Sequence, residues 1–177
     1  MIKKKTNSAH NEAEATHQET VAPTEDNYAE SLEQYSVEGE KLQIVSFHLN
    51  SEEYAFEVTD AVEVLRPRTV TEVPRTPEFI KGILSVRGEM VPVIDLKKRL
   101  GIVPDGFNGA GRILIAAVED LKAGFTVDRL AGVKEVPVQS VVLSAGPDHG
   151  FLKGVIHAGD DPILLLEISR LVDMSVR

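Results

Sequence analysis

The chain has 177 residues, of which 42% are apolar, 28 are acidic and 19 are basic, so its formal net charge is -9. It has no cysteine, which excludes disulfides, thiolate metal sites and a cysteine nucleophile. The acidic balance argues against nucleic acid as the main ligand, because phosphate contacts need clustered Lys and Arg. No stretch approaches ~20 consecutive apolar residues, so the sequence predicts no membrane-spanning helix.

The first forty residues carry nine acidic and three basic side chains and few large apolar ones. Such a segment cannot bury enough surface to offset its ordering entropy, so we expect residues 1–38 to form a disordered acidic tail. The start, Met1–Lys5, is basic, but polar residues follow it instead of an apolar run. The sequence therefore predicts no secretory signal and a cytoplasmic protein.

From Lys41 onward the chain consists of short runs rich in Val and Ile, separated by Gly, Pro and charged turns. These runs predict strands at Leu42–Leu49, Tyr54–Val58, Val70–Val73, Gly82–Val86, Met90–Ile94, Ile113–Val118, Ala123–Val127, Val133–Val136, Gln139–Leu143, Leu152–Ala158 and Ile163–Leu166. Brief helices are predicted at Val58–Leu65, Asp95–Leu100 and Glu167–Met174. Many short strands with few helices indicate a mainly β protein built from small barrels or sandwiches.

An internal repeat organises this folded part. At an offset of 72 residues, Lys81–Leu84 aligns with Lys153–Ile156, and Asp95 aligns with Glu167 without a gap. The repeat predicts two β lobes, at about 41–103 and 112–175, within one domain over residues 39–175. Lobes of this size are too small for independent stability, so we expect them to share apolar surface and to leave a groove between them.

One segment carries a long and specific motif. Phe79–Gly88 reads F-I-K-G-I-L-S-V-R-G, and Val91–Leu96 reads V-P-V-I-D-L. This string resembles the signature of CheW-like chemotaxis coupling proteins, in which Asn usually stands at the position of Ser85. Shorter resemblances to the same family lie at Glu53–Val58, Val62–Val64, Gly124–Asp128 and Leu152–Gly154.

The resemblance implies a fold of two five-stranded SH3-like barrels packed together. It also implies an adaptor without catalytic activity, cofactor or metal. Its partners would be the cytoplasmic tips of methyl-accepting chemoreceptors and the regulatory domain of a CheA-type histidine kinase, brought together in membrane-associated receptor arrays. Neither nucleic-acid binding nor membrane insertion is expected.

The same resemblance assigns candidate contact residues. On spacing alone, Arg87 is an exposed arginine in a turn, but its place in the motif implies receptor contact, which its planar five-donor guanidinium suits. Further receptor-side positions are implied for Ala61, Glu63 and Gly124. Gly82 has a repeat mate in Gly154, which favours a packing role for it.

The kinase contacts are expected on a different segment. Val70, Thr71, Glu72 and Val73 form a predicted edge strand of the first lobe, and an exposed strand edge invites protein contacts. Asp95 follows the second strand of the motif and its repeat mate is Glu167. Because both lobes have an acid there, a helix N-cap is favoured over a catalytic base.

Other functions leave little trace in the sequence. Gly106–Gly111 lacks the Lys of a phosphate-binding loop, and His157 with Asp160 and Asp161 lies in a predicted hairpin turn. One alternative is that the same module serves another receptor–kinase pathway, in surface motility or development. A second is a small β-barrel hydrolase or ligand-binding protein, which a deep pocket lined by His and carboxylates would favour.

Overall fold

The computed structural model describes residues 39–107, 109–144 and 150–173. The strands are β1 Lys41–Leu49, β2 Glu52–Glu57, β3 Ala61–Leu65, β4 Ile80–Val86, β5 Glu89–Asp95, β6 Arg112–Val118, β7 Leu121–Val127, β8 Arg129–Pro137, β9 Val141–Leu143, β10 Leu152–Ile156 and β11 Ile163–Leu166. Two short helices, α1 Leu96–Leu100 and α2 Ile168–Val172, follow β5 and β11, and a 3₁₀ turn, Val138–Ser140, precedes β9. The mainly β prediction is confirmed, and the predicted acidic tail at 1–38 lies outside the described residues.

The strands form two sheets. Sheet 1 has the order β8-β1-β2-β11-β10-β9, and sheet 2 has the order β3-β6-β7-β5-β4. Neighbouring strands are antiparallel except for one parallel pair in each sheet, β2 with β11 and β5 with β7. The expected pair of β lobes is therefore present, with five strands in sheet 2 and a sixth, three-residue strand in sheet 1.

The sheets do not follow the predicted lobe bounds. The hairpin β1–β2 lies in sheet 1 with β8 to β11, and the hairpin β6–β7 lies in sheet 2 with β3 to β5. Assigning 41–103 to one lobe and 112–175 to the other was therefore wrong, because the two halves of the repeat exchange these hairpins. The parallel pairs make the exchange, with Ala55 beside Leu165 and Gly124 beside Val93.

Three apolar clusters explain why the exchange is stable. One cluster, including Ile44 and Leu165, belongs to sheet 1, and another, including Val93 and Ile115, belongs to sheet 2. The largest joins the two sheets, and in it Phe56 of sheet 1 contacts Phe125 of sheet 2 edge to face at 5.2 Å between ring centroids. This cluster contains buried residues of both sheets, so the two sheets share a core. A shared core is expected for lobes that are too small to be stable alone.

The repeat is visible in three dimensions. The unit β4-β5-α1 matches β10-β11-α2, and the strand register shifts beside Gly82 in the first unit and beside Gly154 in the second. A Cβ on Gly82 would lie 2.1 Å from the carbonyl oxygen of Thr71, and one on Gly154 would lie 2.7 Å from that of Val142. Both glycines therefore let a neighbouring backbone approach closely, as expected for Gly82.

Three predicted elements were wrong. The predicted helix Val58–Leu65 is instead a turn at residues 58–60 followed by strand β3, on which Val62 and Val64 are exposed. The predicted strand Val70–Val73 is reduced to one bridge, in which Thr71 and Ile83 exchange two backbone hydrogen bonds of 2.9 Å. The predicted strand Gln139–Leu143 begins with the 3₁₀ turn, so only its last three residues pair with β10.

The short helices begin differently despite the repeat. Asp95 Oδ1 accepts a hydrogen bond of 3.2 Å from the backbone N–H of Lys98, so its predicted N-cap role is confirmed. Glu167 stands at the N-cap of α2 but makes no cap hydrogen bond; its Oε1 accepts instead from the Ser169 hydroxyl. Within the described residues, no helix is both long and apolar enough to cross a membrane.

Candidate functional site

Arg87 and Gly88 form the two-residue turn that joins β4 to β5. Their φ angles are 51° and 88°, and two positive φ values in succession are typical of the tight hairpin turn that matches strand twist. Gly adopts such angles without strain, whereas Arg does so at a cost. The turn holds the Arg87 side chain away from the protein, where 82% of its surface is exposed.

Glu63 lies on β3, at the other end of sheet 2, yet its carboxylate contacts Arg87. Arg87 Nη2 donates to Glu63 Oε2 at 2.9 Å. Since β3 and β4 are the two end strands of sheet 2, this contact shows that the sheet is curled into a barrel. The structure thus brings together two of the four predicted receptor-binding residues.

These two residues stand on the rim of an open depression of about 180 Å³, here called the barrel mouth. All five strands of sheet 2 line it, β3 with Val62 and Glu63, β4 with Val86, β5 with Glu89 and Val91, β6 with Ile115 and β7 with Lys122. Lys122 also forms an ion pair with Glu89 beside the turn. The barrel mouth therefore combines an apolar floor with a rim of paired opposite charges.

Exposed apolar side chains extend the barrel mouth outward. Val62 is 53% exposed, and Met90 and Leu121, which lie at the starts of β5 and β7, are each 61% exposed. Apolar groups beside charged rims are typical of surfaces that bind another protein. The lining residues of the mouth include no Ser, His or Cys.

The other two predicted receptor-side residues are placed differently. Ala61 opens β3, opposite Ala116 of β6, and is half buried against the shared core. Gly124 is buried in β7, where a Cβ would lie 3.0 Å from Ile113 Cγ2 and 3.2 Å from Ile115 Cδ1. Gly124 thus makes room for the barrel interior and presents no side chain to a partner.

The predicted kinase-binding segment lies beside β4, to which the bridge between Thr71 and Ile83 joins it. Val70 is half buried and packs on the sheet 2 core, while Thr71, Glu72 and Val73 are exposed. Only Thr71 is fixed to the sheet through its backbone. Three of the four predicted positions are therefore accessible, and Val70 anchors the segment.

Three exposed apolar side chains on sheet 1 were not predicted as functional residues. On the edge strands of sheet 1, Val133 and Leu143 are each 66% exposed and Val142 is 60% exposed. Successive side chains of a strand point to opposite faces, so the consecutive apolar residues Val142 and Leu143 place one apolar side chain on each face of β9.

A polar cluster on sheet 1 consists of His48, Glu53, Arg129 and Lys134. Burial, together with the positive charge of Arg129, holds the pKa of His48 below its ordinary value. Burial alone would raise the pKa of Glu53, but its hydrogen bond from Lys134 brings that pKa below the usual range. Among the residues that the structure describes, no group of three or more His, Cys, Asp or Glu side chains could hold a metal ion.

Comparison with known proteins gives one consistent family. A family model described as the CheW-like domain matches residues 43–176. The chain is 30% identical over 146 residues to the chemotaxis protein CheW of Treponema pallidum (strain Nichols), covering 77% of this chain and 85% of that protein. It is 32% identical over 120 residues to Protein FrzA of Myxococcus xanthus, covering 64% of this chain and 74% of FrzA.

A solved structure supports the same comparison. The crystal structure of the scaffolding protein TtCheW from Thermoanaerobacter tengcongensis matches with a TM-score of 0.71 and 33% sequence identity. The match covers 78% of this chain and 97% of that one. The similarity thus extends over both sheets and includes the barrel mouth.

Proposed function

Because the chain belongs to the family of CheW-like domains, we propose that it is an adaptor that couples chemoreceptors to a chemotaxis histidine kinase, so that the receptors control kinase activity. Relatives named as chemotaxis proteins CheW and a structural neighbour described as a scaffolding protein support this function. The adaptor acts by binding alone. It works in the cytoplasm, on receptor arrays at the membrane.

The observation that carries the proposal is the Glu63–Arg87 pair on the rim of the barrel mouth. An exposed ion pair of this kind adds little stability, so its value lies in presenting charge beside apolar surface. The receptor tip is a helical hairpin in this proposal, and its carboxylates and apolar side chains complement the arginine and the floor of the mouth. Glu63 orients the long Arg87 side chain before the receptor arrives.

The kinase binds elsewhere on the chain. The exposed residues Thr71, Glu72 and Val73 lie beside β4, and none of them lines the barrel mouth. Receptor and kinase can therefore bind at the same time. Each contact is small, on the order of 1,000 Å² or less, and repetition of the contacts in an array supplies the strength.

Co-sedimentation with receptor-containing membranes tests the receptor contact. We expect Arg87→Glu to remove the protein from the membrane pellet while its circular dichroism spectrum stays unchanged. Arg75→Glu is the matched control, because Arg75 is also an exposed arginine with a positive φ, of 64°, and does not line the mouth. Unchanged pelleting of Arg87→Glu, or equal loss with Arg75→Glu, would refute the proposed contact.

The same module could instead couple receptors to a kinase with another output. Similarity to FrzA and to Protein PilI of Pseudomonas aeruginosa, which do not bear the chemotaxis name, favours this second candidate. Deletion of the gene distinguishes the two outputs: loss of directed swimming supports chemotaxis, and loss of surface movement or development alone supports the alternative.

A further inference from the structure

The sheet 2 barrel has a second opening at the end opposite the barrel mouth. It is a cleft of about 300 Å³ between the start of β4, the end of β5, the start of β6 and the end of β7. We call it the basic cleft, because four cationic side chains line it: Arg68, Lys81, Lys97 and Arg112. It shares no lining residue with the barrel mouth.

Two carboxylates also line the basic cleft, and both are engaged. Asp128 Oδ2 accepts a hydrogen bond of 2.8 Å from the backbone N–H of Asn50 and lies 2.6 Å from Lys97 Nζ. Asp95 caps α1 and lies 3.7 Å from Lys81 Nζ. These contacts neutralise the two lysines and leave the two arginines uncompensated.

Arg68 and Arg112 have no carboxylate partner within the described part of the chain. The only side-chain hydrogen bond that Arg112 donates there runs to the carbonyl of its neighbour Gly111, at 2.6 Å. The cleft thus carries two excess positive charges in a chain whose net charge is -9. A concave surface lined by charge of one sign concentrates the opposite charge, so this opening attracts anions against the field of the whole protein.

The shape and the donors point to a small ligand. One guanidinium group can donate two parallel hydrogen bonds to the oxygens of a phosphate group. Two arginines therefore suit a ligand with two linked phosphates better than a ligand with one carboxylate. The volume lies at the lower end of the range for small-molecule sites, which often occupy the mouths of β barrels. Val70 and Ile113 add an apolar wall on which a non-phosphate part could rest.

We propose that the basic cleft binds a small molecule with two linked phosphate groups, such as pyrophosphate or a nucleoside diphosphate, through Arg68 and Arg112. This site is additional to the adaptor function and does not depend on it. The cleft and the barrel mouth share no lining residue. Binding of a ligand to the cleft can therefore be measured in the absence of receptor and kinase.

Titration calorimetry on the full chain with pyrophosphate and with ADP tests the site. We expect saturable binding that weakens as salt is raised. Arg68→Gln and Arg112→Gln should each weaken it about tenfold, the loss expected when a charge-assisted hydrogen bond is removed. Arg66→Gln is the matched control, since Arg66 is an exposed arginine two residues from Arg68 that does not line the cleft.

Three results would overturn the proposal. They are no saturable binding of either probe, an equal loss of affinity in Arg66→Gln, and tighter binding of citrate or of a short glutamate-rich peptide than of pyrophosphate. Circular dichroism and the thermal midpoint of each variant establish that the fold is retained. If it is not, charge-conserving Arg68→Lys and Arg112→Lys variants replace the glutamines, and we expect them to weaken binding less than tenfold without abolishing it.

Discussion

Arg99 of α1 binds the backbone carbonyl of Leu171 of α2, the residue that occupies its own position in the internal repeat. Arg99 Nε donates to Leu171 O at 3.0 Å, and Nη2 donates to the carbonyl of Arg170 at 3.2 Å and to that of Asp173. The guanidinium lies 4.3 Å from the ring centroid of Phe79 and 4.6 Å from that of Phe151. One buried cation thus closes the C-terminal end of α2 and joins the two halves of the chain.

Replacing this arginine should destabilise the fold markedly. Arg99→Leu keeps apolar contact with the two rings but leaves the carbonyls at the end of α2 without their donor. We expect a loss of about 2–4 kcal/mol in the free energy of unfolding, measured by urea denaturation. Lys98→Leu, on the exposed side of the same helix, should change it by less than about 0.5 kcal/mol.

Gly82, which lies beside the register shift between β4 and β5, is predicted to be required for stability. A Cβ on Gly82 would overlap the Thr71 carbonyl, whereas a Cβ on Gly132 would meet nothing within 4 Å, although both have a positive φ. Gly82→Ala should therefore cost more than about 2 kcal/mol, and Gly132→Ala about 1 kcal/mol from backbone strain alone. Equal losses in the two variants would show that close approach to Thr71 does not matter.

The repeat offers a matched test of helix capping. Asp95→Ala removes a cap hydrogen bond and should cost about 1 kcal/mol. Glu167→Ala removes a side chain that makes no such bond, so we expect a smaller loss. Thermal unfolding of the two variants checks this order, and the reverse order would contradict it.

Protonation of His48 should lower stability in mild acid. Burial and the charge of Arg129 hold its pKa below 6.5, and Lys134 acts in the same direction while Glu53 opposes them. The unfolded chain then binds the proton more readily than the folded chain as pH falls below 6.5, so the free energy of unfolding decreases there. His48→Gln should remove this part of the pH dependence, and an identical slope in both proteins would refute the assignment.

Much of the fold could be predicted because its signals are local. The matched runs at Lys81–Leu84 and Lys153–Ile156 predict equivalent hairpins, and the structure has them with the same bulge. The hairpin exchange could not be predicted, because a repeat does not say which copy a hairpin pairs with. A helix was predicted at Val58–Leu65 because its apolar residues Val58, Ala61, Val62 and Leu65 have helical spacing. That prediction was wrong because the second half of the segment pairs with β6 and forms a strand.

The candidate site was predictable only in part. Arg87 and Glu63 are 24 residues apart in sequence and lie at opposite ends of the sheet order, so their contact depends on barrel closure. Residue type alone gives no signal for it. The burial of Gly124 likewise follows from the parallel pairing of β7 with β5, which a single sequence does not reveal.

Control of kinase activity by the receptor is the central claim. The direct measurement is kinase autophosphorylation in membranes that contain receptor, kinase and this protein, with and without receptor ligand. We predict that the ligand changes the activity with the wild-type protein and with Arg75→Glu, but not with Arg87→Glu. The account would be contradicted if receptor ligand did not change kinase activity while the wild-type protein was bound to both receptor and kinase.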